Sequence, residues 1–261
     1  MNTPLSIAMR GKRLVSTALV SPLLLVLGLT ACQTTEVVPP TDAEVKQLAH
    51  DIEADAVADM IVMNRCGALG GPTGAYAGAA RETWQFNNQN LIIDAERLLN
   101  SQRNDQIIID AMPYSLAAIA RVHDLSLSAD ERLNLAGRSP SGQKTVCERE
   151  LSQLETQSYA AQFDLATLQA LGERAESAPD SETSAADILT RWNHWPKPGR
   201  SYISLAESAK AQCPQQSRII TLENNWPTER YAVYCAGTPQ NLVQCDWGAC
   251  DAAPNELPER Q

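Results

Sequence analysis

From residue 41 onward, apolar positions follow a helical period over most of the chain. Val45, Leu48, Ile52, Ala56, Met60 and Met63 recur at spacings of three and four, which predicts an amphipathic helix ending near Arg65. Thr41-Asp42-Ala43-Glu44 supplies a capping-box start. Asp51, Asp55 and Asp59 lie four apart on a different face and read as solvated surface. Glycines 67, 70, 71, 74 and 78 predict a loop or helix break over 66–78. A second helix is expected over 75–100, with Trp84, Leu91, Ala95 and Leu98 on one face. A third is expected over 105–124, carrying Ile108, Ala111, Ala118 and Val122 and kinked or divided at Pro113. Ser128-Ala129-Asp130-Glu131 opens a short helix that Gly137 closes. The helix after the 137–142 loop puts Cys147, Leu151, Leu154 and Ser158 on one face, and Asp164 caps another. Residues 175–184 read as a solvated connection, with short helices over 185–192 and 205–213.

The pattern changes near residue 217. Segments 217–223, 230–235 and 241–247 are short, rich in β-formers and separated by the turn residues Asn224-Asn225-Trp226-Pro227 and Gly237-Thr238-Pro239. They predict a three-stranded antiparallel meander, too small to stand without support. The fold class is therefore mainly α: an irregular helical bundle with a small C-terminal antiparallel three-stranded β appendix held by disulfides. The expected divisions are a helical body over 41–178, connecting helices with a Trp/Pro-rich loop over 179–212, and the appendix over 213–261, ending in a disordered tail. No internal repeat is apparent.

Cysteine usage adds a compartment. Besides Cys32 there are six, at 66, 147, 213, 235, 245 and 250. An even set in an exported chain points to three disulfides, for which fifteen pairings exist. Cys66 ends the first helix, Cys147 faces the core and the other four lie far downstream, so Cys66–Cys147 is the preferred pair, with Cys213–Cys235 and Cys245–Cys250 beside it. A turn at 237–240 would set Cys235 opposite Leu242, which argues against Cys235–Cys245. The last four cysteines do not form the two close pairs of a zinc ribbon, and no metal site is expected.

The N-terminus has the parts of an export signal: Arg10, Lys12 and Arg13, then an uncharged apolar stretch over 14–29, then small residues before Cys32. That stretch is shorter than the roughly 20 residues a spanning helix needs. Leu29-Thr30-Ala31-Cys32 resembles the lipobox of bacterial lipoproteins. The resemblance, which covers residues 1–32 only, implies cleavage before Cys32 and acylation of Cys32, and Gln33 in place of an aspartate favours the outer membrane. Residues 33–40 read as a tether stiffened by Pro39-Pro40. Removing the leader takes three bases and no acid, shifting the formal net charge from −10 to −13. Such a balance argues against nucleic acid and against electrostatic docking on anionic lipid.

Signals for chemistry are sparse. The glycines of 66–78 lack the Gly-Lys-Ser/Thr ending of a phosphate loop. His50, His123 and His194 have no second ligand at metal spacing, no serine sits in Gly-x-Ser-x-Gly, and no Cys-x-x-Cys is present. No cofactor is implied. Asp51, Glu53, Asp55 and Asp59 could supply a carboxylate pair for glycan hydrolysis, although an acidic helix face is commonly solvated surface. Trp192, His194 and Trp195, followed by Pro196-Lys197-Pro198, are the most distinctive group. They could form a partner-binding surface, or pack the joint between body and appendix together with Trp226 and Trp247. The leading expectation is a non-catalytic, lipid-anchored envelope protein facing the periplasm that binds or assembles another envelope component, protein or peptidoglycan. The alternatives are a cell-wall enzyme using paired carboxylates and a periplasmic hydrolase inhibitor acting through the appendix.

Overall fold

Helix α1, Asp42–Gly67, starts at the expected cap: Thr41 accepts from the Glu44 amide while the Glu44 carboxylate accepts from the Thr41 amide. Its sequence suggested one apolar stripe, yet the five consecutive residues from Asp59 to Met63 are all buried. This is the central helix, wrapped by others on several sides. In this computed structural model the described residues are 38–100, 106–178, 183–213, 217–236, 238–252 and 256–257. The expected leader, Cys32, most of the expected tether and residues 179–182 lie outside them.

Helix α2, Gly71–Asn100, folds back along α1. The glycine cluster forms a tight corner instead of a long loop, with only Ala68–Gly70 between the helices. Gly70 and Gly71 take φ of 66° and 54°, and a Cβ on Gly74 would stand 3.0 Å from the Gly67 carbonyl oxygen. Helices α3 (Leu116–Leu133), α4 (Pro140–Leu154) and α5 (Leu165–Glu176) pack around this pair. Asp164 caps α5 by accepting from the Thr167 amide. Cys66 is bonded to Cys147, their Cα atoms 5.5 Å apart, which ties α1 to α4. Among the described residues no helix is long and apolar enough to cross a membrane.

The expected helix over 105–124 is two things. Gln106–Ile109 (β1) and Met112–Ser115 (β2) form a hairpin, and α3 begins only at Leu116, capped by Ser115. Asp110 and Ala111 both have positive φ, 51° and 63°, as the tight turn between two strands requires. The run Ile107-Ile108-Ile109 suits a strand, and Pro113 is tolerated because β2 is an edge. Helix α3 then runs through Ser128–Glu131 without a break and ends at the left-handed Asn134, so that capping-box pattern opens no helix.

Two short helices follow, α6 (Ala185–Arg191) and α7 (Tyr202–Gln212). The β region has four strands, one more than expected. β3 (Ser217–Asn225), β4 (Thr228–Cys235), β5 (Thr238–Asp246) and β6 (Ala249–Ala252) pair antiparallel in that order. Cys235 stands opposite Thr238, and Leu242 opposite Ala232, because the β4–β5 turn is tighter than the expected 237–240 and a bulge follows at Val233/Tyr234. Cys213 is bonded to Cys235, and Cys245 to Cys250 across β5 and β6. The expected disordered tail contains Glu256–Leu257 (β7), which pairs parallel with β1.

The sheet has two covered faces. Ile220, Leu222, Ala232, Tyr234 and Leu242 join the core of the helical body. On the other face Tyr231, Val233 and Cys245 pack against Leu205 and Ala209 of α7. The alternation of 231/233 and 232/234 between layers is the period of two of a strand buried on both sides. From Pro39 onward the chain is one compact unit.

Candidate functional site

Of the three residues in the Trp/His motif, only His194 is exposed. Trp192 is buried and donates through Nε1 to the Leu222 carbonyl at 2.9 Å. Trp195 stacks on it with ring centroids 5.4 Å apart and planes 6° from parallel, and donates to Ser126 Oγ at 2.7 Å. His123 meets the Trp195 ring edge to face. Both indoles thus fill the joint between helices and sheet, where each N–H finds an oxygen. Burial, and then the Arg218 guanidinium 2.9 Å from Nδ1, hold His123 below the usual histidine range. A cavity of about 300 Å³ beside His194 is bordered by Arg191, Asp110 and Glu223. Its charges are engaged with one another: Arg191 pairs with both acids, and Arg230 pairs with Glu223.

The four candidate acids of α1 separate by environment. Asp51 is exposed on the surface, where Gln47 donates to it. Glu53 is buried and receives Arg121 of α3 in a bidentate pair. Asp59, expected on a solvated face, is 8% exposed. Its Oδ2 accepts from Trp84 Nε1 at 3.1 Å, Gln157 Nε2 at 2.9 Å and the Tyr159 hydroxyl at 2.7 Å. Asn88 extends this knot by donating to the Trp84 and Gln157 carbonyls and accepting from the Tyr159 amide. Burial raises the Asp59 carboxyl to about 6, with the Tyr159 and Trp84 donors pulling the other way. Asp55 is raised as well, by burial and then by Asp51. With Arg132 and Glu150, Asp55 and Asp59 line a polar cleft of about 210 Å³ between α1, α3 and α4. Among the described residues no group of three or more His, Cys, Asp and Glu side chains could hold a metal ion.

Three buried acids were missed in the sequence, Glu96, Glu223 and Glu229. Glu96 of α2 is 6% exposed and accepts from the Ala185 amide at the start of α6. Arg121, the cation nearby, is paired with Glu53, so Glu96 shares it with a second carboxylate. Burial is the main force lifting its pKa to about 7; Glu53 and Asp187 add to it.

The exposed aromatic surface lies elsewhere. Of five tryptophans, Trp84, Trp192 and Trp195 are engaged inside, while Trp226 and Trp247 are 40% and 76% exposed. The alternative that put them in the interior cluster does not hold: they occupy the tips of two adjacent hairpins. Their centroids are 5.8 Å apart and their planes 77° from parallel. Arg200 lies over the Trp226 ring at 4.8 Å from its centroid. Trp247 and Gly248 form the β5–β6 turn with φ of 54° and 89°. The Trp247 amide donates to the Pro227 carbonyl at 3.0 Å, locking the two tips together. A bulky residue at positive φ costs of order 1–2 kcal/mol. Beside the rings Thr228 donates to Asp246 Oδ1 at 2.6 Å and Gln244 to Asp246 Oδ2 at 2.7 Å, which hold the Asp246 carboxyl below its ordinary range.

No protein-family model matches this chain, and neither a curated protein nor a solved structure matches it.

Proposed function

We propose that this chain is a lipid-anchored protein of a bacterial outer membrane that faces the periplasm and binds another envelope component without chemically altering it. The observation that carries the reading is the Trp226/Trp247 tip. It places large indole faces in water at a strained turn, while buried Glu53 and Glu223 are paired with Arg121 and Arg230. Aromatic and arginine side chains dominate binding energy where proteins meet ligands, and Arg200 already sits on this tip. The Leu-Thr-Ala-Cys ending and the acidic balance support the anchor and the compartment.

Two experiments test it. Cys32→Ser should leave an unprocessed precursor without acyl chains, read as a mass shift; normal maturation of that variant would refute the anchor. A photo-crosslinking residue at the exposed Ala249, next to the tip, should trap one defined envelope component in cells.

A second reading, a cell-wall hydrolase, is favoured by the cleft that Asp55 and Asp59 share. An acid raised to about 6 suits proton donation near neutrality. Against it, three internal donors pin one oxygen of Asp59. Asp55→Asn is expected to leave fragment release from purified cell wall at the uncatalysed background, as for the wild type. Wild-type release that Asp55→Asn abolishes would establish the hydrolase instead.

A further inference from the structure

We infer that the Trp226/Trp247 tip is a saccharide-binding site for β-linked, N-acetylated glucosamine chains. The choice of ligand rests on the envelope-binding reading above; the site itself rests on geometry. An indole face is electron-rich, and the axial C–H bonds on the flat side of an equatorial pyranose present positive edges to it. Two indoles set at 77° make a corner. The more exposed Trp247 takes the pyranose plane, and Trp226 with the Arg200 guanidinium over it borders the 2-acetamido group, which projects from the ring edge. Arg200 covers part of Trp226, which leaves Trp247 as the open platform.

Polar groups complete the chemistry. Asp246, Gln244 and Thr228 form a hydrogen-bonded row along the strands leading to the tip. The carboxylate oxygens of Asp246 retain lone pairs for sugar hydroxyls, and the Arg200 guanidinium can donate to an acetamido carbonyl. A lipid surface fits less well: the exposed Asp246 adjoins Trp247 and would be driven against anionic headgroups. A protein partner would need an apolar surface wider than two indoles, and Asn224, Asn225, Arg200 and Asp246, which flank them, are exposed and polar.

The backbone adds an independent argument. A two-residue hairpin turn with φ positive at both positions prefers Asn-Gly or Asp-Gly. Trp247-Gly248 keeps the glycine but places the bulkiest side chain at the strained first position, where no core contact explains it. Trp247→Asn therefore separates function from fold. It installs the preferred turn and removes the platform.

The test uses the mature chain with chitotetraose as the probe, followed by the five indole N–H resonances in NMR. In the wild type, the Trp247 and Trp226 signals should shift in a saturable way while those of Trp84, Trp192 and Trp195 stay fixed. Trp247→Asn should abolish the response, at least tenfold in affinity, with an unfolding midpoint equal to or above that of the wild type. Unchanged wild-type spectra at millimolar chitotetraose overturn the saccharide assignment, and so does undiminished binding by Trp247→Asn. A lowered midpoint in Trp247→Asn shows that the indole is structural and also overturns it. If chitotetraose does not bind but crosslinking from Ala249 still traps an envelope protein, the saccharide inference fails while the broader binding reading stands.

Discussion

A Cys66→Ala/Cys147→Ala variant is expected to lose about 4.5 kcal/mol of stability, the loop-closure entropy of an 81-residue bridge. Both sulfurs sit in the core with no exposure, so the deleted atoms also leave a small apolar void. The bond joins the last turn of the central helix to α4, and it restricts the unfolded chain across α2, the β1–β2 hairpin and α3. Cys245→Ala/Cys250→Ala is the internal control. Its bridge spans five residues, for which the same relation gives about 2 kcal/mol. Urea unfolding of both variants without reductant should show the larger drop in midpoint for the 66/147 pair. The reverse order would mean that unfolded-chain entropy does not govern this scaffold.

Removing a charge should have the opposite effect at Glu96. Its carboxyl titrates at about 7 in the folded protein and near its ordinary 4.5 when unfolded. Between those values the unfolded chain has released a proton that the native state still holds, so stability falls as pH rises across this window. By pH 8 the penalty is about 3 kcal/mol. Glu96→Gln keeps an oxygen to accept from the Ala185 amide and escapes the penalty. The variant should be more stable than the wild type at pH 8 by up to about 3 kcal/mol and indistinguishable near pH 4. Asp59, raised from 3.8 to about 6, acts in the same sense over a lower window. His123, held below its ordinary value of 6.5, acts oppositely, because stability is lost as pH falls below that value. Midpoints measured from pH 4 to 8 for both proteins isolate the Glu96 part as their difference. A pH-independent difference would contradict the assignment of a buried, cation-poor carboxyl.

Where local chemistry decides an element, the sequence was informative. Thr41 and Asp164 begin helices α1 and α5 as side-chain caps, and the even cysteine count anticipated three bridges. The hairpin at 106–115 was missed for a definite reason. Ile108, Ala111, Ala118 and Val122 fall at helical spacing by coincidence, across a turn whose Asp110-Ala111 pair carries no glycine to announce it. Strand β6, Ala-Cys-Asp-Ala, has no β-forming residue; the Trp247-Gly248 turn and the Cys245–Cys250 bond create it. Which acids are buried could not be read from α1 alone. Asp59 differs from Asp51 only through Trp84, Gln157 and Tyr159, supplied from 25 to 100 positions away. The same holds for the tryptophans: their chemistry is alike, and the packing of helices on the sheet decides which pair meets water.

That packing makes the β region something other than a detachable ornament. One face of the sheet completes the core of the helices, Tyr234 reaches the Leu116 carbonyl, and Trp192 reaches back to Leu222. Excising residues 213–250 would strip a wall from the interior and strand those polar groups. The sheet and the helices therefore stand or fall as one cooperative unit. A change to the Trp226/Trp247 tip, by contrast, can be made at its turns and leaves the strands that carry them in place.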